Sequence, residues 1–265
     1  MNENVDIFVY SHKPFTPLVK NPVYKILTNT KEKIDTKLSV YRDYEGEDNI
    51  ADKNLMYNEY TGLYWLWRNY PLKKFIGLNH YRRYYQFLDD VPDIEALLDV
   101  YSMLLNRPII FKENNFVLSY TKEVPDNREW YGFWHNVEDF DLLEQLFHEK
   151  FPEYLDGFEK MKKAQYLYNS SMFTMPKTMF TEYCEFIFAV LEEYNNIIGC
   201  HTVPEYIKHV EDNKEKYIKE HLPYYNVEIQ ARILGYVAER AMNAYIFNGS
   251  ESIESKSIYV PWIQI

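Results

Sequence analysis

Three groups of residues in this chain have the types and spacing to do chemistry. The first is FIGLNHYRRYY, residues 75–85, where an apolar run leads straight into His80, Arg82 and Arg83. If the run is a strand, these side chains stand at its carboxyl end, where open α/β sheets bind ligands. Two guanidiniums there suit a diphosphate, held by paired charge-assisted hydrogen bonds. The plainer alternative is a basic turn paired with Asp89 and Asp90. The second group is Asp48-Asn49-Ile50-Ala51-Asp52-Lys53-Asn54, leading into a helix with Glu59 and Gly62. Helix N-termini attract anions, and Lys53 adds charge. A helical glycine costs roughly 1 kcal/mol against alanine, so something approaches Gly62: a packing element or a ligand. The third is VEIQARILGYVAERAMNAYI, residues 227–246. At 100° per residue, Ile233, Leu234, Val237, Ala238, Ala241 and Tyr245 share one arc. Arg232, Gly235, Glu239 and Asn243 share the opposite one. That arc is either a solvated face with a Glu228–Arg232 pair or a cleft wall with Glu239 as general base.

Composition narrows the chemistry further. Of 265 residues, 46% are hydrophobic and 26% charged, as in an ordinary globular chain. Only 8 are glycine, and neither G-x-G-x-x-G nor G-x-x-x-x-G-K-[ST] occurs. The formal charge of −11 excludes a whole-surface footprint for nucleic acid but leaves room for a local basic pocket. Cys184 and Cys200 form no metal or redox motif and fit a reducing, cytoplasmic setting. The seven histidines show no paired metal-ligand spacing, and no G-x-S-x-G elbow is present. No signal peptide and no 18-residue apolar stretch is visible. The 26 tyrosines reflect either compositional drift or surfaces that stack on sugars.

The elements that must position these groups follow from periodicity. Strands are predicted at Asp6–Ser11, Val23–Leu27, Phe75–Asn79, Pro108–Phe111 and Ser171–Met175. Residues 28–53 and 112–136 read as irregular. A helix of about fifteen residues is expected from an Asn54 N-cap to Asn69. Others are expected after Pro92 through Leu105, across 138–150 and 153–164, over Lys177–Tyr194 and over Val227–Phe247, before an extended tail. Strands alternating with helices indicate a largely parallel sheet in an α/β layer fold with a helix-rich C-terminal half. One domain is expected over 1–265, with a ligand-binding half over about 1–112 and a helical half over about 113–265.

SHKPF, DNIADKNLMYNEYTGLYWLWRN, FIGLNHYRRYY, YNSSMFTMPKTMFTEYCEFIFAVL and RILGYVAERAMNAYI occur in that order. Together they resemble, over nearly the whole chain, a bacterial family from capsular polysaccharide and exopolysaccharide loci. That family was first classed as a domain of unknown function, and several of its members are glycosyltransferases. The resemblance implies a compact GT-A-like nucleotide-sugar fold. It also implies transfer of galactose or galactofuranose from a UDP-sugar donor to a glycan or lipid-linked glycan acceptor. Where GT-A enzymes carry Asp-x-Asp to hold a divalent metal, this chain has His80-Tyr81-Arg82-Arg83. No metal is therefore expected to be required, with manganese or magnesium as the alternative. His12, Lys13, Asp48, Asn49, Lys53 and Asn54 are expected on the donor side, with Arg82 and Arg83 at the diphosphate. His80 and Glu239 are the expected catalytic residues, Glu239 as the base of an inverting displacement. Asn169, Tyr236 and Asn243 are expected at the acceptor. The family pattern places an asparagine directly before Met-Phe, whereas Ser170-Ser171 here separate Asn169 from Met172-Phe173. The expected setting is the cytoplasm, peripheral to the membrane, with no nucleic-acid partner. A non-catalytic glycan-binding protein and a phosphoesterase acting through His80 are the rivals.

Overall fold

The computed structural model describes residues 2–265. VDIFVYS is strand β1 (Val5–Ser11), with all seven residues buried, as a central strand covered on both faces requires. It pairs in parallel with β2 (Tyr24–Thr28) on one side, and β2 pairs in parallel with β3 (Val40–Arg42). On its other side β1 pairs in parallel with β4 (Phe75–His80). The chain then turns back as β5 (Arg83–Tyr85) and later adds β6 (Leu104–Asn106). A separate two-stranded ribbon joins β7 (Ile109–Ile110) to β8 (Tyr166–Leu167). The last strands are β9 (Phe173–Pro176), β10 (Ile258–Val260) and β11 (Trp262–Gln264). The main sheet runs β10-β6-β9-β4-β1-β2-β3, with β5 and β11 off this path. Every antiparallel pair of this sheet involves β5 or β9. The architecture is thus the expected one: a mostly parallel sheet flanked by helices. Strands from both sides of residue 112 interleave, since β9 lies between β4 and β6 and β10 lies beside β6.

The order reverses between β1 and β4, because β2 and β3 build outward on one side and β4 starts the other. Such a switch point opens a crevice at the carboxyl ends of the strands. The helix Ile233–Phe247 runs beside that crevice and is buried on almost every side. It packs against the helices Leu155–Lys163 and Lys177–Ile198. The polar arc of its wheel lines that crevice through Arg232, Gly235 and Glu239, and Asn243 at its far end is buried in protein.

Several local expectations are corrected. The helix after residue 53 is split into Asn54–Tyr57 and Tyr60–Asn69 by Asn58 at φ 56°, ψ −133°. Asn54 does not cap it. Its Nδ2 donates to Tyr10 Oη at 2.6 Å, to the Asn58 carbonyl at 2.8 Å and to Thr61 Oγ1 at 2.9 Å. Asp43 closes this knot by accepting from Tyr10 Oη at 2.9 Å and Thr61 Oγ1 at 2.7 Å. A Cβ at Gly62 would sit 2.4 Å from the Tyr10 ring, so a packing side chain, not a ligand, accounts for that glycine. The helix after Pro92 ends at Leu98, and Leu104–Asn106 joins the sheet. Residues 112–136 hold two helices, Asn115–Thr121 and Asn127–Trp134, the second opened by an Asp126/Glu129 capping box. The C-terminal helix breaks at Ala231–Arg232 into Val227–Gln230 and Ile233–Phe247. Most tyrosines are core: Tyr24, Tyr60, Tyr84, Tyr85, Tyr131 and Tyr183 are among the largest fully buried side chains. That burial removes most of the sugar-stacking surface on which a glycan-binding rival would draw.

Candidate active site

Tyr10 lies opposite His80 in the β1–β4 register, so His12 and the turn after β4 meet at the carboxyl edge of the switch point. The Arg82 amide donates to His80 Nδ1 at 3.2 Å, which leaves the His80 proton on Nε2. Burial, then the charges of Arg83 and Arg82, push His80 down to about 3. Burial, then Arg232, Lys13 and Arg82, push His12 down to about 4. Both imidazoles are neutral near pH 7. Burial is the larger cause of their depression, and the cations along this edge add to it.

The cations are Arg82, Arg83 and Arg232. Arg82 is exposed, with its guanidinium carbon 5.2 Å from the Tyr81 ring centroid. Arg83 donates to Ser170 Oγ and lies 5.7 Å from the Trp262 ring. Arg232 donates from Nε to Asn58 Oδ1. None of the three forms an ion pair among the described residues. Asp89, the expected partner in the plainer reading, instead accepts from the backbone amides of Lys20 and Asn21.

Two carboxylates face these cations across a cavity of about 350 Å³. Glu239 accepts from the Ser170 amide and from Arg240 Nη1, both at 2.6 Å. Its side chain is 19% exposed, against 3% for Arg240. Glu59 has no side-chain hydrogen bond to another described residue, and burial raises its pKa, followed by the charge of Glu239. The wall between Glu239 and Arg83 is built from two strained residues, Ser170 at φ 65° and Ser171 at φ 49°. Consecutive non-glycine residues at positive φ are costly, and they concentrate at functional sites. Here they aim the Ser170 amide at Glu239 and its hydroxyl at Arg83. A second cavity of about 260 Å³ adjoins the first across Asn58 and Arg232 and reaches His12 and Asn54.

The structure thus brings His80, Arg82, Arg83, Asn169, Tyr236 and Glu239 to one cleft, with His12 and Asn54 in the adjoining cavity. It does not bring the rest of the expected set there. Asp48 accepts from Tyr64 Oη at 2.8 Å and pairs with Arg68 at 2.6 Å. Asn49 closes its own loop onto Gly46 and Ala51. Lys13 and Lys53 line neither cavity. Asn243 is fully buried and holds the backbone of Tyr168 at both its amide and its carbonyl. The anticipated Glu228–Arg232 pair does not form, because Asn58 takes the Arg232 Nε–H. Sequence reasoning missed Asn58, Trp130 and Trp134 at the cleft, and it named Glu59 only within the second group and Ser170 only as a spacer before Met172-Phe173. Arg232 it noted only as part of the helix arc. The Asp126-x-x-Glu129 box was the one available signal for the helix that carries the tryptophans.

Comparison with known proteins gives two matches. A family model described as "Domain of unknown function (DUF4422)" matches residues 6–222. No curated protein matches the chain. Among solved structures, the apo form of WbbM, a bifunctional glycosyltransferase, matches with a TM-score of 0.69 and 22% identity. That match covers 98% of this chain, which spans 45% of the length of the WbbM chain.

Proposed function

The chain belongs to the DUF4422 family, and from that premise and the cleft we propose that it is a glycosyltransferase using a UDP-sugar donor. One observation carries the reading. Three guanidiniums without carboxylate partners face two carboxylates at the switch point of a mostly parallel sheet. The fold shared with a glycosyltransferase structure supports it. In this proposal Arg82, Arg83 and Arg232 take the diphosphate, and His80 offers an Nε2–H donor beside them. An acceptor hydroxyl attacks the anomeric carbon and the bond from that carbon to the diphosphate oxygen breaks. UDP leaves with its new charge on the arginines, while Glu239 takes the hydroxyl proton, inverting the anomeric centre. Arg240 and the Ser170 amide hold the Glu239 carboxylate in place at the cleft. A second reading makes Glu59 the base, because no other residue donates to its carboxylate among the described residues while both Glu239 oxygens accept from neighbours.

The donor sugar in this proposal is galactose or galactofuranose, and the acceptor is a growing surface glycan or lipid-linked glycan. The enzyme would act at the cytoplasmic face of the membrane. No helix among the described residues is long and apolar enough to cross a membrane. A divalent cation does not fit the place after β4, where it would meet Arg82 and Arg83 rather than carboxylates. The test is UDP release by the purified protein from UDP-galactose and UDP-galactofuranose, with and without an oligosaccharide acceptor. Acceptor-stimulated release is the expected result. Hydrolysis of simple phosphoesters with no turnover of either nucleotide sugar would replace the reading with a phosphoesterase.

A further inference from the structure

Trp130 and Trp134 stand four residues apart on the helix Asn127–Trp134 and both line the catalytic cavity. Trp134 also lines a third cavity of about 200 Å³, which it shares with Tyr224, Asn226, Ile229 and Gln230. Outside it the aromatic surface continues. Phe116 stacks on Trp134 with centroids 6.0 Å apart and planes at 23°. Phe116, Tyr120 and Tyr224 are 45%, 53% and 68% exposed. Aromatic groups left in water beside a cleft mark a binding surface rather than core. This surface is also rigidly backed. Phe111 stacks on Trp130 at 4.2 Å, and with Val117, Phe133 and Leu167 they form a small core of their own.

We propose that this aromatic wall is the acceptor subsite, with Trp134 and Tyr224 stacking the sugar rings of an oligosaccharide whose terminal hydroxyl reaches the two carboxylates. The assignment rests on the glycosyltransferase reading for its direction and on the wall itself for its ligand. A sugar ring presents C–H groups on its face, which suit the negative face of an aromatic ring, and hydroxyls around its edge. Here the edge is polar. The Asn226 side-chain oxygen accepts the Ile229 amide at 2.9 Å, and its Nδ2 has no partner among the described residues. Gln230 is held between His135 Nδ1 and the Trp134 carbonyl. The wall joins the cleft where Tyr236 stacks on His135 at 3.8 Å. Glu239 follows Tyr236 by three residues on the same helix, hence on the same side. A chain lying along Trp134 is thereby led to Glu239 and Glu59. A lipid surface fits less well. The site is a cavity edged by amides, Glu228 lines the adjoining cavity, and the chain carries a formal charge of −11, which repels anionic headgroups.

The test uses the full chain and galactose-terminated oligosaccharides of a few residues. Binding is followed by tryptophan fluorescence without donor, and UDP affinity by calorimetry. Tyr224→Ala and Trp134→Ala should each weaken oligosaccharide binding about ten-fold. Trp134→Phe should restore most of it, and UDP affinity should not move in Tyr224→Ala, whose side chain lies outside the donor cavity. Tyr224 is exposed enough that its variant tests the wall even if Trp134→Ala fails to fold. Oligosaccharide binding that is absent from the wild type, or unchanged in folded variants, overturns the subsite. So does Tyr224-dependent binding to phosphatidylglycerol vesicles with no effect of sugar. Variant-sensitive oligosaccharide binding by a protein that never turns over a UDP-sugar sinks the transferase reading and leaves the glycan site standing.

Discussion

Arg82 and Arg83 are neighbours in sequence but not in environment. Arg83 is half-buried, braced by Ser170 and Trp262, whereas Arg82 is exposed. Replacing Arg83 or Arg232 with alanine should weaken UDP binding by about 1.5–3 kcal/mol, the range for hydrogen bonds to charged groups. Arg82→Ala should cost less, because water screens an exposed charge. Calorimetry on the three variants checks the order, and affinities unchanged from the wild type would remove the arginine clamp. For the base, Glu239→Gln keeps the shape and loses the proton acceptor, so kcat should fall by about 10²–10⁴ with little change in UDP affinity. A loss of that size in Glu59→Gln, with Glu239→Gln mild, would move the base to Glu59. Arg83 and Glu239 were legible in the sequence because strand-end position and helical period place them without knowledge of long-range contacts. Asp48, Lys13 and Lys53 were not. Charge near a helix start says nothing about which way a side chain points, and Asp48 points to Arg68 and Tyr64. Glu59 was hidden because its place depends on Asn58 leaving helical geometry.

That departure is the main event at the scale of elements. A continuous helix over Asn54–Asn69 would put Asn58 in register with its neighbours. At φ 56° its side chain instead meets Gly235 and Arg232 of the other half of the cleft. A Cβ at Gly235 would fall 1.7 Å from Asn58 Nδ2. Gly235→Ala should therefore push Asn58 away, release Arg232 and weaken UDP binding. Gly62→Ala, whose Cβ would meet the buried Tyr10 ring, should lower stability by about 1–3 kcal/mol as overpacking does. It should leave UDP affinity nearly unchanged. Thermal melts and calorimetry on the pair separate the two roles, and Gly235→Ala binding UDP normally would detach this contact from the donor pocket. Periodicity found β1, β4 and the long C-terminal helices because each is a sustained run. It missed the breaks at Asn58 and Ala231–Arg232, where tertiary contacts override a continuous helical pattern. It also missed β3 and β6, three residues each, which have no period to read.

Across the whole molecule, an acidic chain keeps a positive cleft. Low-dielectric walls focus that local field, which adds to burial in keeping His12 and His80 neutral. If the arginines carry the diphosphate charge as proposed, transfer should survive EDTA. Abolition by EDTA with rescue by manganese alone would refute that. The same burial that neutralises these imidazoles makes stability depend on pH. His80 and His135 are both pushed down to about 3, and His12 to about 4. The unfolded chain protonates them near pH 6.5 and the folded one does not, so each loses stability as pH falls from about 6.5 toward its folded value. Asp139 works the other way. It is 4% exposed, one of its oxygens has no partner, and burial raises it to about 7. Between about pH 4 and 7 the folded state keeps a proton that the unfolded state has lost, so this residue costs stability as pH rises through that window. Asp139→Asn keeps an acceptor for Tyr217, which donates to Oδ1 at 3.2 Å, and has no proton to lose. The melting temperature of Asp139→Asn relative to the wild type should therefore climb from pH 4 to 7 and level off above it. For a chain of this size each kcal/mol is worth about 2–4 °C. A difference that stays flat across that range would mean that Asp139 titrates in the folded protein as it does in the unfolded chain, with Tyr217 and the charge of Lys219 offsetting its burial.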